Sequence, residues 1–198
     1  MPIEGRSPRE CAERFRRHVA ELLANTIAPS VPLLLYEGAR EATFGVSFRQ
    51  GKKLATLPLD TVYGKLFLHL AQLVEAEKID KKYRLKTLAY WYRLQPSAGL
   101  RETDALLRWE YDRCHDPRQP GPPRHHLQAA ATVKWDAQVL DLNRLHTPSG
   151  WITIEELLRF LIIEFGVAPA SADWPRIVAD SEDVFFREFS GKRRRSGA

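Results

Sequence analysis

The sequence predicts an α+β fold: a largely antiparallel sheet of about six strands, packed by an N-terminal helix, a middle helix and two C-terminal helices. Three observations lead there. Runs rich in β-branched and aromatic residues, bounded by Gly and Pro turns, mark strands at 31–36, 42–48, 54–57, 87–95, 105–114 and 126–135. Apolar stripes at helical spacing follow start signals at Ser7, Asp60, Thr153 and Trp174. These helices fall before, within and after the strands. The same six strands also fit two small sheets of three.

The first helix is expected from Ser7-Pro8-Arg9-Glu10, with Ser7 as cap, Pro8 at the first helical position and Glu10 closing a capping box. Phe15, Val19, Leu22 and Leu23 form its stripe, and the helix is expected to end near Asn25. Phe44, Val46 and Phe48 share one strand face at period two. The middle helix is expected from Asp60, with Val62, Leu66, Leu70, Leu73 and Val74 buried, fraying over the charged run 75–82. Thr153 and Glu156 read as a second capping box, ahead of an apolar helix that Gly166 and Pro169 stop. The last helix is expected to bury Ile177, Val178, Val184, Phe185 and Phe189.

The chain of 198 residues suits one domain over 1–190, followed by a disordered basic tail over 191–198. Of the net charge of +5, Lys192, Arg193, Arg194 and Arg195 supply four, so the body is close to neutral. Any phosphate affinity of that tail would fall steeply with salt. No run reaches the ~18 apolar residues of a membrane span. The polar start of the chain has no apolar signal core, so the expected location is cytoplasmic. The two cysteines, Cys11 and Cys114, do not make a disulfide framework.

Residues 106–146 hold four of the six histidines and a proline-rich loop between two strand-like runs. Alternation sends Leu107, Trp109 and Tyr111 to one face and Arg108, Glu110 and Asp112 to the other. If the next strand pairs across the loop, His126, which shares a face with Gln128, comes near Glu110 or Asp112. Arg93 can join Arg108 from the preceding strand, and His146 can close over the same end. Such a set points to acid–base chemistry: His126 moving a proton, Glu110 or Asp112 orienting it, and Arg93, Arg108 and Arg124 holding phosphate. That suits phosphodiester cleavage through a ribose 2′-hydroxyl, with no metal and no cofactor. The alternative is a solvated polar face with a structural Arg–carboxylate pair. Cys114, His115, His125, His126 and His146 are zinc-ligand types, but their spacing fits no standard zinc motif. The aromatics Tyr90, Trp91, Tyr92, Trp109, Tyr111 and Trp135 are candidates to stack bases on an open sheet face, and of these Trp109 and Trp135 read as core. Tyr90 and Tyr92 are open between core and base stacking on an exposed sheet face.

The stretches Arg108-Trp-Glu-Tyr-Asp112, Pro123-Arg-His-His-Leu-Gln128 and His146-Thr-Pro148 resemble a pattern in small bacterial proteins of toxin–antitoxin and phage-defence loci. That pattern is an Arg-x-acidic-Tyr-Asp strand, a loop, Pro-x-x-His-Leu-His, and a His-x-Pro turn before an apolar helix. The resemblance covers about the C-terminal half of the chain and implies a toxin or defence setting with RNA as target. It departs at Gln128, where the pattern has a second His, and Gln cannot shuttle protons. The expected function is therefore a defence or toxin-like protein that engages RNA or another nucleic acid and cleaves it without metal. The alternative is a non-enzymatic subunit that binds a partner protein through its apolar C-terminal helices. No membrane partner is expected, and an oligomer is compatible with either reading.

Overall fold

The computed structural model describes residues 3–30, 33–50, 53–99, 105–114, 121–135 and 138–188. The expected tail, with Lys192, Arg193, Arg194 and Arg195, lies outside the described residues, as do His115 and Phe189. The elements run α1 (Pro8–Thr26), β1 (Leu33–Glu37), β2 (Thr43–Gln50), β3 (Lys53–Leu54), β4 (Leu57–Thr61), β5 (Gly64–Ile79) and β6 (Lys82–Gln95). There follow β7 (Leu107–Asp112), β8 (His125–Ala129), β9 (Thr132–Trp135), β10 (Gln138–Asp141), a 3-10 turn (Leu142–Arg144), β11 (Thr147–Pro148), α2 (Ile154–Glu164) and α3 (Trp174–Glu188).

The α+β class holds, but the sheet is larger than expected. Nine strands form one sheet in the order β1-β2-β5-β6-β7-β8-β11, with β3 on β2 and β4 on β5. Every pair in it is antiparallel. The β9–β10 hairpin stands apart as a second, two-stranded sheet.

The expected middle helix is not there. Its residues form the β4–β5 hairpin and most of β5, and Val62 is 70% exposed at the hairpin tip. The spacing misleads for a simple reason. Val62, Leu66, Leu70 and Val74 are four residues apart, and four is a multiple of both the strand period of two and, nearly, the helical 3.6. Apolar residues on both faces of β5, including Leu68, Leu70 and Ala71, erase the alternation that marks a half-buried strand. Gly64 closes the hairpin with φ of 98°, a conformation that a side chain would strain. The charged run expected to fray is instead the β5–β6 hairpin, where Lys86 pairs across the strands with Glu75 and Glu77. Asp80 takes its tight turn at φ of 55°.

The other three helices form where expected, although in α3 Val178 is buried while Ile177, Val184 and Phe185 are half-buried. Ser7 accepts the N–H of Glu10, although the Glu10 carboxylate takes the N–H of Arg6 and not that of the cap itself. Thr153 and Glu156 form the reciprocal capping box of α2. α1 lies across β1, β2, β5 and β6, and α3 packs against α1 and α2. Phe160 of α2 meets Trp109 of β7 edge-on. The core therefore sits on one face of the sheet. It holds Phe15, Val19 and Leu23 from α1, Phe44, Val46 and Phe48 from β2, Leu68 and Leu70 from β5, and Leu157 and Leu161 from α2. Tyr90 and Tyr92, stacked on one another and fully buried, belong to this core and offer no surface to a base. Trp109 is core as well, while the Trp135 side chain is outside what the structure describes.

Candidate functional site

Because Tyr90, Tyr92, Trp109 and Tyr111 face the helices, their neighbours in sequence must face away. Strand register then assembles a polar patch. Glu110 on β7 lies opposite Trp91 on β6 and opposite His126 on β8. One step along, Arg108 lies opposite Arg93 and Gln128. Directly opposed residues in antiparallel strands have Cβ atoms about 4.5–5.5 Å apart, so these side chains must interact.

The ring of His126 is held from both ends. Its Nδ1 is 2.9 Å from the carbonyl oxygen of Pro123, and its Nε2 is 3.5 Å from Oε2 of Glu110. The Nε2 contact is of ion-pair and not hydrogen-bond length, and a carbonyl at one nitrogen with a carboxylate facing the other favours the protonated ring. The other carboxylate oxygen, Oε1, is 3.5 Å from the Arg93 guanidinium. Arg108 donates to Oδ1 of Asn143 at 3.0 Å, and Gln128 donates to the Asn143 carbonyl at 3.1 Å. Asn143 sits in the 3-10 turn, which Asp141 caps through the Asn143 N–H. The turn and β11, which pairs Pro148 with His126, carry His146 back over the sheet. Its ring meets that of His126 at 4.8 Å between centroids, and its Nε2 is 3.4 Å from the Gln128 amide.

Arg93, Arg108, His126 and Gln128 are buried, Glu110 and Asn143 half-buried, and His146 exposed, so the cluster meets solvent on its His146 side. The Glu110 interaction raises the His126 pKa above its ordinary value, against the opposing effect of burial. Burial pushes the Glu110 carboxyl up, but contact with the His126 ring and the Arg93, His126 and Arg108 charges pull it below its ordinary value. Burial, then the charges of His126 and Arg108, hold His146 below its ordinary value. Two imidazoles in contact are thus pushed in opposite directions, the arrangement that separates an acid from a base.

No family model, no curated protein and no solved structure matches the chain. The functional reading rests on the geometry of this patch.

Other expected site residues are placed elsewhere. Asp112 shares the face but is exposed at the strand end, away from His126, where it accepts the N–H of Cys114 at 2.8 Å. Glu110 is therefore the carboxylate that meets His126. Arg124 is exposed at the start of β8. His125 points to the helix face, stacked on Tyr111 at 4.4 Å and edge-on to Trp151. That separates it from His126 as a metal ligand. Among the described residues, no three His, Cys, Asp or Glu side chains converge to hold a metal. Sequence reasoning missed Asn143, whose signal was the Asp141-x-Asn143 turn. Trp91, one of the aromatics expected to be able to stack bases, lies on this polar face opposite Glu110, as its alternation with Tyr90 and Tyr92 requires.

Proposed function

We propose that Glu110, His126 and His146 form an acid–base site that cleaves RNA through its ribose 2′-hydroxyl. The observation that carries this reading is the contact between the His126 and His146 rings beside a carboxylate and two guanidinium groups. His146, exposed and held neutral, takes the 2′-hydroxyl proton as the oxygen attacks phosphorus. The bond from phosphorus to the 5′-oxygen breaks, and His126, held as imidazolium by Glu110, gives that oxygen its proton. The products are a 2′,3′-cyclic phosphate and a free 5′-hydroxyl. Arg93 and Arg108 offset the charge that builds on the non-bridging oxygens. His126 is 5% exposed, so the 142–146 segment must swing aside to admit the phosphodiester. A toxin or defence setting, implied by the resemblance of 108–112, 123–128 and 146–148, and a cytoplasmic location belong to the same proposal. The test is cleavage of single-stranded RNA in EDTA by wild type, His126→Ala and His146→Ala. Loss in both variants, by about 10²–10⁴-fold, is expected. Equal cleavage by all three proteins, or none by wild type, sinks the reading.

A second reading, a subunit that binds a partner protein, draws on exposed apolar side chains at the β4–β5 hairpin tip and on α2. Val62, Tyr63 and Ile163 are each more than 60% exposed, and Tyr63 meets Phe165 edge-on at 5.6 Å. No helix of the described residues is long and apolar enough to cross a membrane. A stable complex lost on Tyr63→Lys, with no RNA cleavage by either form, would favour this second reading.

A further inference from the structure

Beside the acid–base cluster, on the same sheet face, runs a groove with a different character. It has a volume of about 270 Å³. Leu73, Leu88 and Ala89 line it, together with Trp91, and Arg40 and Asp112 stand at its edge. It exists because β6 is irregular. Register with β5 shifts between Leu73 and Val74, which pair with Ala89 and Thr87, so Leu88 is an extra residue in the strand. Such a bulge disrupts the ladder locally and re-aims side chains, and bulges are over-represented next to active sites. Here it sets two apolar side chains in succession where alternation would give one.

Trp91 joins this groove to the cluster. It lies directly opposite Glu110 in the register, and Arg93 is two residues further along the same face, about 7 Å at ~3.4 Å per residue. Its ring has no aromatic partner among the described residues, whereas Tyr90 and Tyr92 stack on each other. At the far side Arg40 is fixed by its own turn. Its N–H and carbonyl both engage the Thr43 hydroxyl, and its guanidinium reaches to 3.6 Å from the Cys114 sulfur. An apolar floor, a half-buried indole and an Arg at the rim, next to two further guanidinium groups, describe a flat aromatic ligand that carries phosphate.

We infer that the Trp91 groove is a base subsite, in which a nucleobase next to the phosphate held by Arg93 and Arg108 stacks on the indole. This rests on the proposed RNA reading and names what the site would grip. The volume is just under the ~300–1,000 Å³ of sites for drug-sized ligands, which suits one base and not a folded partner. Stacking is tolerant of sequence because every base has a π-face, so the subsite sets affinity more than sequence preference.

The test uses the full chain and a short single-stranded DNA probe, which has no 2′-hydroxyl to cleave. Binding is followed by fluorescence anisotropy at one moderate salt concentration. Trp91→Ala is expected to bind about tenfold more weakly or worse, and Trp91→Phe close to wild type. A matching probe with one abasic position is expected to lose a similar factor with wild type and little with Trp91→Ala. The abasic probe on wild type decides the matter even if Trp91→Ala does not fold. Indifference of wild-type binding to the missing base overturns the subsite, as does Trp91→Ala binding the intact probe as wild type does. Failure to bind either probe also overturns it and leaves this face to a protein partner. Cleavage is not needed for any of these outcomes. Trp91-dependent binding without RNA cleavage would keep the subsite and sink the acid–base proposal, and cleavage with no dependence on the base would do the reverse.

Discussion

His146 meets His126 with 4.8 Å between ring centroids, although the whole β9–β10 hairpin separates them in the chain. The pair supplies a second imidazole where Gln128 replaces the second His of the resembled pattern. Gln128 holds its Nε2 3.4 Å from His146, so it positions the ring whose chemistry it lacks.

Their opposite shifts set the pH dependence of any cleavage. His146 must be neutral and His126 protonated, so activity should rise through the lowered His146 value and fall through the raised His126 value. Glu110→Gln removes the largest cause of the His126 shift, so the alkaline limb should move to lower pH while the acidic limb stays nearly in place. Initial rates of RNA cleavage against pH would check this. An alkaline limb unmoved by Glu110→Gln would show that another group titrates there.

The same pair should be visible in stability. His126, raised in the fold, contributes stability that is complete below its ordinary value of about 6.5 and is lost as pH rises through the raised value. Glu110, lowered in the fold, contributes stability that is present above its ordinary value of about 4.3 and is lost as pH falls through the lowered one. Glu110→Gln should therefore cost most between those two ordinary values and progressively less above them. Urea unfolding at a series of pH values measures the difference, and a constant penalty across the series would mean that packing, not charge, is lost.

Asn143 ties the segment that bears His146 to the sheet. Its Oδ1 accepts from the Arg108 guanidinium at 3.0 Å, and hydrogen bonds to charged groups contribute about 1.5–3 kcal/mol. Asn143→Ala should lower stability by roughly that range or somewhat less, since the turn is only half-buried. It should also speed amide exchange at 142–146 more than in β7. Exchange that rises equally in both places would instead mean general loosening of the sheet.

What the sequence disclosed follows from periodicity. The helices α1 and α2 were legible because capping residues and stripes at 3.6 spacing coincide there, and α3 from its stripe after Trp174-Pro175. The faces of β7 were legible because its alternation is strict, and that alone aligned Arg108, Glu110 and Asp112. β5 was not legible, since it is buried on both faces and its four-residue spacings satisfy both periods. Pairing across the loop brought His126 to Glu110, but which carboxylate it would meet depended on register, and register is not written in a single strand. The bulge at Leu88, and with it the Trp91 groove, has no local sequence signal: no Gly or Pro marks it.

A second polar network lies under the helices and joins one residue from each. His18 of α1 has its Nε2 2.9 Å from the Ser181 hydroxyl of α3, and Ser181 also hydrogen-bonds the Glu155 carboxyl of α2. Burial raises the Glu155 pKa and lowers that of His18, so both are pushed toward their neutral forms. A carboxyl raised in the fold loses stability as pH rises from its ordinary value through the raised one, because ionisation is then harder in the folded state. Glu155→Gln keeps a partner for Ser181 and cannot ionise. It should match wild type near pH 4 and exceed it in melting temperature near pH 7, with the gap opening between. Ser181→Ala removes one hydrogen bond of the buried Glu155 carboxyl, which keeps those to the Thr153 hydroxyl and its own backbone N–H, and should cost about 0.5–1.5 kcal/mol. Thermal melts of the three proteins at both pH values decide the point. Glu155→Gln falling below wild type near pH 7 would mean that the ionised carboxylate is stabilised by its surroundings, and that the three helices are held together by a charge.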